Sequence, residues 1–211
     1  MKNKEKLMLS LFKIGAIKFG YFKLKSGITS PVYIDLRVLV SYPKVLKQVA
    51  KAYLSVLEKL KFDRMAAIPY TAIPIVSAIS FYNGKPWLYT RKEIKDYGTK
   101  KQFEGEYKVG ERAVLVDDMI TTGASKIEAI KPLTDAGLII KDIVVLFDRE
   151  QGGGEFLKEK GLRLYPVLTL KEWLNLLIKK KKISKETYNE VLSFLKNSRI
   201  KNSKCKIKIQ N

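Results

Sequence analysis

Apolar and polar residues follow two spacings along this chain, one helical and one strand-like. Lys4 to Ile14 repeats its apolar residues at helical spacing. Pro43 to Leu60 does so more strongly, with Val45, Leu46, Val49, Ala52, Tyr53, Val56, Leu57 and Leu60 on one face and Pro43 at the first turn. Between these two predicted helices, Tyr21 to Leu24 and Pro31 to Leu36 are short β-like runs parted by Lys25-Ser26-Gly27. That pattern predicts a hairpin or hood.

From Met65 the two patterns alternate. Strands are predicted at Met65 to Pro69, Trp87 to Thr90, Arg112 to Val116, Ile143 to Phe147 and Leu162 to Leu168. Helices are predicted at Ile73 to Tyr82, Ser125 to Ala136, Leu170 to Ile178 and Lys185 to Lys196. Such alternation implies an α/β fold with a mostly parallel sheet covered by helices. The wholly apolar runs Ala113-Val114-Leu115-Val116 and Ile143-Val144-Val145-Leu146-Phe147 suit central strands buried on both faces. In such sheets ligands gather at the carboxyl ends of the strands, so the chemistry is expected in the segments that follow them.

The chain has 211 residues, and at roughly 150 residues per domain it is expected to form one domain. We place that domain at residues 1–197, with the hood at about 15–40, and a basic tail predicted to be disordered at 198–211. No apolar run approaches the ~20 residues of a membrane span, and residues 1–19 lack a sustained apolar core before a small-residue cleavage site. A soluble, cytoplasmic protein is expected. Cys205 is the only cysteine and there is no histidine, which excludes disulfides within the chain, cysteine metal cages and histidine-based catalysis.

Charge is lopsided, with 41 basic residues against 21 acidic ones. From Lys171 to Asn211 there are 12 basic and 3 acidic residues, so much of the excess belongs to the C-terminal end. A polyanionic partner is one reading. The other is a bias toward lysine, which supplies 34 of the cations, whereas phosphate patches favour clustered arginine with aromatics. Composition leaves both open.

The most specific chemistry lies in Val114-Leu115-Val116-Asp117-Asp118-Met119-Ile120-Thr121-Thr122-Gly123-Ala124-Ser125. A buried strand delivers two carboxylates, and a small hydroxyl-rich loop then opens a helix. Free backbone N–H groups at a helix N-terminus, with Thr and Ser hydroxyls beside them, make a phosphate cradle. Acids at its lip can accept hydrogen bonds from sugar hydroxyls or sit behind a Mg²⁺ ion. Phosphate and ribose are implied together.

This string resembles the phosphoribosyl diphosphate (PRPP) motif of type I phosphoribosyltransferases. Phe22 to Arg37, Pro69-Tyr70-Thr71-Ala72-Ile73-Pro74 and Asp148-Arg149-Glu150-Gln151-Gly152-Gly153 resemble signatures of the orotate phosphoribosyltransferases, and Arg91 to Gly105 is similar to their flexible catalytic loop. The likeness runs from about Gly15 to Asn197 and is strongest to the version fused to orotidylate decarboxylase in bifunctional UMP synthases. It implies the type I phosphoribosyltransferase fold with a small N-terminal hood. It also implies transfer of the 5-phosphoribosyl group from PRPP to N1 of orotate.

Residue by residue, the resemblance implies that Arg91, Lys92 and Lys95 contact the diphosphate, Lys95 being the main catalytic cation, with Lys25, Tyr70, Thr71 and Tyr97 also at PRPP. Asp117 and Asp118 would hold the ribose hydroxyls, and Thr122, Gly123, Ala124 and Ser125 the 5′-phosphate. Thr121 would lie at both substrates. Orotate would be bound by Arg149 and Thr121, with Lys25, Tyr33 and Ile34 around it. Tyr97 and Thr71 stand where stand-alone bacterial members often carry His and Lys, and both changes match the fused type. Mg²⁺ would be carried mainly by PRPP, without a dedicated protein cage. The resemblance further implies a homodimer that shares the catalytic loop between subunits, and an association with a separate decarboxylase. It implies no nucleic-acid or membrane partner. Two other readings of the residues are a transferase for a purine base, which would have no reason to place Arg149 at the acceptor, and a PRPP-fold regulator that binds nucleic acid through the basic end.

Overall fold

A computed structural model describes residues 2–23, 27–91 and 102–209, with side chains at 3–23, 27–91 and 102–199. Lys25, Lys92, Lys95 and Tyr97 lie outside the described residues. The chain begins with helix α1 (Lys2–Lys13) and an antiparallel hairpin of β1 (Ile17–Lys23) and β2 (Thr29–Ile34). β1 begins four residues before the predicted run. Its register slips between Phe19 and Phe22, around Gly20, and this irregularity hides the two-residue alternation at its start. A 3₁₀ turn (Leu36–Ser41) leads into α2 (Pro43–Leu57), whose predicted apolar face is buried at Val45, Val49, Tyr53 and Leu57.

Next come β3 (Arg64–Ala67), α3 (Ala72–Asn83), β4 (Trp87–Thr90), the two-residue β5 (Phe103–Glu104) and β6 (Arg112–Ile120). After them follow α4 (Ala124–Asp135), β7 (Ile139–Asp148), α5 (Gly153–Glu159), β8 (Arg163–Thr169), α6 (Leu170–Lys179) and α7 (Lys185–Ile209). Five strands pair in parallel in the order β4-β3-β6-β7-β8, and β5 joins the β4 edge antiparallel. The predicted mostly parallel sheet is present. Among the described residues the 3₁₀ turn, β5 and α5 were not predicted, each too short for a period to register.

Alternate residues of the central strands feed two cores. Val114, Val116, Val144 and Leu146 face α1, α2, α3, α6 and α7, while Ala113, Leu115, Ile143 and Val145 face α4 and α5. Trp173 of α6 is fully buried against Phe147, ring centroids 5.0 Å apart, and its Nε1 donates to the Met8 carbonyl at 3.0 Å. This ties the first helix to the last third of the chain. A capping box starts α6, where Thr169 Oγ1 accepts from the Glu172 N–H at 3.2 Å and the Glu172 carboxylate accepts from the Thr169 N–H at 2.9 Å. The helix predicted at 185–196 continues to Ile209, so the boundary we placed at 197 falls inside α7. Lysine is a good helix former, and extending an existing helix costs far less than nucleating one, so basic composition alone is a weak stop signal.

Candidate active site

The sheet changes direction of growth at β3: β4 is laid down on one side of it and β6 on the other. Such a switch point opens a crevice at the carboxyl ends of the strands. The segments that the sequence singles out follow those ends. Arg91 follows β4, Pro69 to Thr71 follow β3, Asp117 to Ser125 close β6 and open α4, and Asp148 to Gly153 follow β7. The Ile68 N–H donates to the Val116 carbonyl at 3.1 Å and the Arg149 N–H to the Ile120 carbonyl at 3.0 Å, which pins the second and fourth segments against the third. Tyr70 is largely exposed, Thr71 is half-buried, and the Pro69–Tyr70 peptide bond is cis.

The cradle is open. Thr122, Ala124 and Ser125 are exposed, Thr121 is half-buried, and Gly123 is the N-cap of α4 with φ +90° and no side-chain cap. Its N–H groups are therefore available to an anion. The loop rests on the first turn of α5. A Cβ on Gly153 would lie 2.6 Å from the Thr121 carbonyl oxygen, and one on Gly123 would lie 3.0 Å from the Phe156 ring. Only glycine allows the two loops this approach.

The two carboxylates differ. Asp117 is 6% exposed, its Oδ1 accepts from the Asp118 N–H at 2.8 Å, and its Oδ2 is bound by the ammonium of Lys126, itself 4% exposed. Its backbone carbonyl accepts from the Tyr53 hydroxyl at 2.6 Å. Asp118 is half-buried, with Oδ1 accepting from the Met119 N–H at 2.7 Å. Burial first, and then the neighbouring Asp117 charge, push the Asp118 carboxyl up to about 7, against a smaller lowering by Lys126. Tyr53 is also raised, by burial and by both aspartates.

At the end of β7, Arg149 is 8% exposed, and its Nε and Nη2 have no hydrogen-bond partner among the described residues. Burial lowers its pKa, the direction expected for a cation out of water. Asp148 beside it is raised by burial and accepts from the Glu150 N–H at 2.7 Å, which shapes a turn where Glu150 takes φ +55°.

Other predicted residues are placed differently. Arg91 is paired with Glu104 of β5, and its N–H donates to the Gln102 carbonyl at 2.7 Å. Tyr33 stacks on Phe22 with centroids 5.4 Å apart, and its hydroxyl accepts from Arg37 Nη2 at 3.0 Å. The Ile34 side chain is buried in the core, so only its backbone is available to a ligand. Sequence reasoning missed Lys126. The signal was present, because Lys126, Ile130 and Leu133 form the buried face of α4 at i, i+4 and i+7. A lysine on such a stripe requires a buried partner.

Over 186 residues the chain is 40% identical to the orotate phosphoribosyltransferase of Pyrobaculum aerophilum, covering 88% of this chain and 95% of that one. The chain belongs to the orotate phosphoribosyltransferase family. It is 42% identical over 191 residues to the uridine 5′-monophosphate synthase of Bos taurus, covering 90% of this chain and 40% of that enzyme. The solved UMP synthase of Leishmania donovani superposes with a TM-score of 0.86 at 43% identity, over 92% of this chain and 42% of that one. This orotate phosphoribosyltransferase family member thus spans about two fifths of the UMP synthases that it matches. No family profile matches the chain.

Proposed function

We propose that the chain transfers the 5-phosphoribosyl group of PRPP to N1 of orotate, releasing diphosphate and forming orotidine 5′-phosphate, a step of pyrimidine biosynthesis. The observation that carries this reading is the buried edge of Arg149, whose Nε and Nη2 have no partner among the described residues. A buried cation with unmet donors is costly, and a planar carboxylate satisfies two of them at once. Orotate has that carboxylate, whereas adenine, hypoxanthine and uracil lack it.

The donor would lie across the crevice. The N–H groups and hydroxyls of Thr122 to Ser125 take the 5′-phosphate, and Asp118 accepts from the ribose hydroxyls. No protein nucleophile is required, because departure of diphosphate leaves positive charge on the ribose carbon and catalysis lies in stabilising the leaving anion and aligning N1. Arg149 and Thr121 align the acceptor. The cations expected at the diphosphate are Arg91, Lys92 and Lys95, with Lys25, Tyr70, Thr71 and Tyr97 nearby. In the described structure Arg91 is held by Glu104, so it must exchange that partner to reach the donor.

Mg²⁺ would enter bound to PRPP, neutralising diphosphate charge with oxygen ligands from substrate and water. Among the described residues no three His, Cys, Asp or Glu side chains gather to hold a metal. A homodimer is supported by the exposure of Phe81 and Tyr21, at 89% and 81%, apolar surface that a second copy could cover. Association with a separate orotidylate decarboxylase is supported by the bifunctional relatives. A cytoplasmic location suits such a step, and among the described residues no helix is long and apolar enough to cross a membrane. Orotate absorbance should fall when PRPP and Mg²⁺ are present. Adenine, hypoxanthine and uracil should be left unchanged, and consumption of a purine in place of orotate would overturn the assignment.

A further inference from the structure

We propose that Lys126 is a positioning residue for the phosphoribosyl donor: by binding Asp117 it clasps the end of β6 to the first turn of α4 and leaves Asp118 alone to accept the ribose hydroxyls. The inference rests on the PRPP reading above and deepens it.

Three observations carry it. Asp117 has no idle carboxylate oxygen, since Oδ1 holds the Asp118 N–H at 2.8 Å and Oδ2 holds Lys126, and both side chains are more than nine-tenths buried. Its position is fixed from the third side by the Tyr53 hydroxyl on its carbonyl, which anchors the strand end to α2. The loop that must grip both ribose and 5′-phosphate, residues 118–125, is flanked directly by the two members of the pair. Closing that pair sets the separation between Asp118 and the phosphate cradle. Lys126 Nζ also lies 3.3 Å from Ser125 Oγ, the last hydroxyl of the cradle.

The charge arrangement points the same way. Without Lys126, two carboxylates on adjacent residues would face each other across the buried strand end with Tyr53 beside them and no cation. Asp117 would then repel Asp118 unscreened and swing toward the crevice. With Lys126 present, Asp117 is neutralised in place, and the ammonium favours the ionised form of Asp118, the better acceptor for sugar hydroxyls. A buried ion pair is weak evidence of stability, because desolvation offsets most of its attraction. Its worth here lies in geometry.

The test is binding of Mg²⁺-PRPP to the full chain by calorimetry, with the orotate KM measured alongside. Lys126→Met should weaken Mg²⁺-PRPP by about tenfold or more, the loss expected when one partner of a buried charge pair is removed, while the orotate KM changes less than about twofold. Adding Asp117→Asn removes the unpaired buried charge but does not restore the clasp, so the double variant should stay about tenfold or more weaker than wild type toward Mg²⁺-PRPP. If Lys126→Met does not fold, the double variant decides by the same comparison, with its orotate KM again changed less than about twofold. Wild-type affinity in Lys126→Met or in the double variant overturns the proposal. Failure of the wild-type chain to bind Mg²⁺-PRPP would overturn the phosphoribosyl reading itself, and this inference with it.

Discussion

Arg149 is buried and Asp118 half-buried, both out of character for charged side chains, and each sets a measurable expectation. On the proposed reading, replacing Arg149 by Ala would remove a charge-assisted contact to orotate of about 1.5–3 kcal/mol, so the orotate KM should rise roughly 10- to 100-fold while the PRPP KM stays near wild type. Equal effects on both substrates would make Arg149 a strand-end support. Asp118 is an acid raised from 3.8 to about 7. Below pH 4 it is protonated in folded and unfolded chains alike and costs nothing. Between pH 4 and 7 the folded chain keeps a proton that the unfolded chain has lost, so stability falls as pH rises, by at most about 4 kcal/mol, and is level above pH 7. Asp118→Asn should therefore melt higher than wild type at pH 8, with the gain vanishing by pH 4, even as activity is lost. The residue types at these positions were readable from the motif strings, because strand ends in a parallel sheet are where ligands bind. The pairing of Asp117 with Lys126 was not, because nothing in the order of residues says which acid turns inward.

Between elements, the contact that most constrains the site is that of the phosphate loop with α5. A methyl at Gly153 would meet the Thr121 carbonyl at 2.6 Å, and neither backbone can yield alone. Gly153→Ala should destabilise the chain by about 1–3 kcal/mol and, on the proposed reading in which the loop takes PRPP and the turn takes orotate, raise both KM values. Unchanged kinetics in a folded Gly153→Ala chain would show that the loops move independently. Periodicity predicted the long helices and the buried strands, where many residues repeat one spacing. It gave no warning of α5, whose seven residues begin in a run of glycines and are held in place by packing against β8. Nor did it extend β6 through Asp117 to Ile120, because two acids end an apolar run even where the backbone continues to pair with β7.

Across the whole molecule the C-terminal helix returns to the site. Arg199 of α7 pairs with Glu155 in the first turn of α5, and both side chains are 57% exposed. An exposed pair contributes at most about 1 kcal/mol, so a chain ended after Asn197 should keep its melting temperature within about 4 °C and retain its activity. A larger fall would mean that residues 198–209 pack on the body of the protein. The alternation of apolar runs determined the α/β class, and the motif strings determined the family and the substrates it implies, because local spacing and residue chemistry are written one position after another. Only the tertiary structure decided that Asp117 is spent on Lys126, that Ile34 faces the core, that Arg91 is held by Glu104 and that Arg149 stands buried with Nε and Nη2 unpartnered among the described residues. Each of these depends on which distant segments meet, and on burial, which turns an ordinary charged side chain into one that must find an opposite charge.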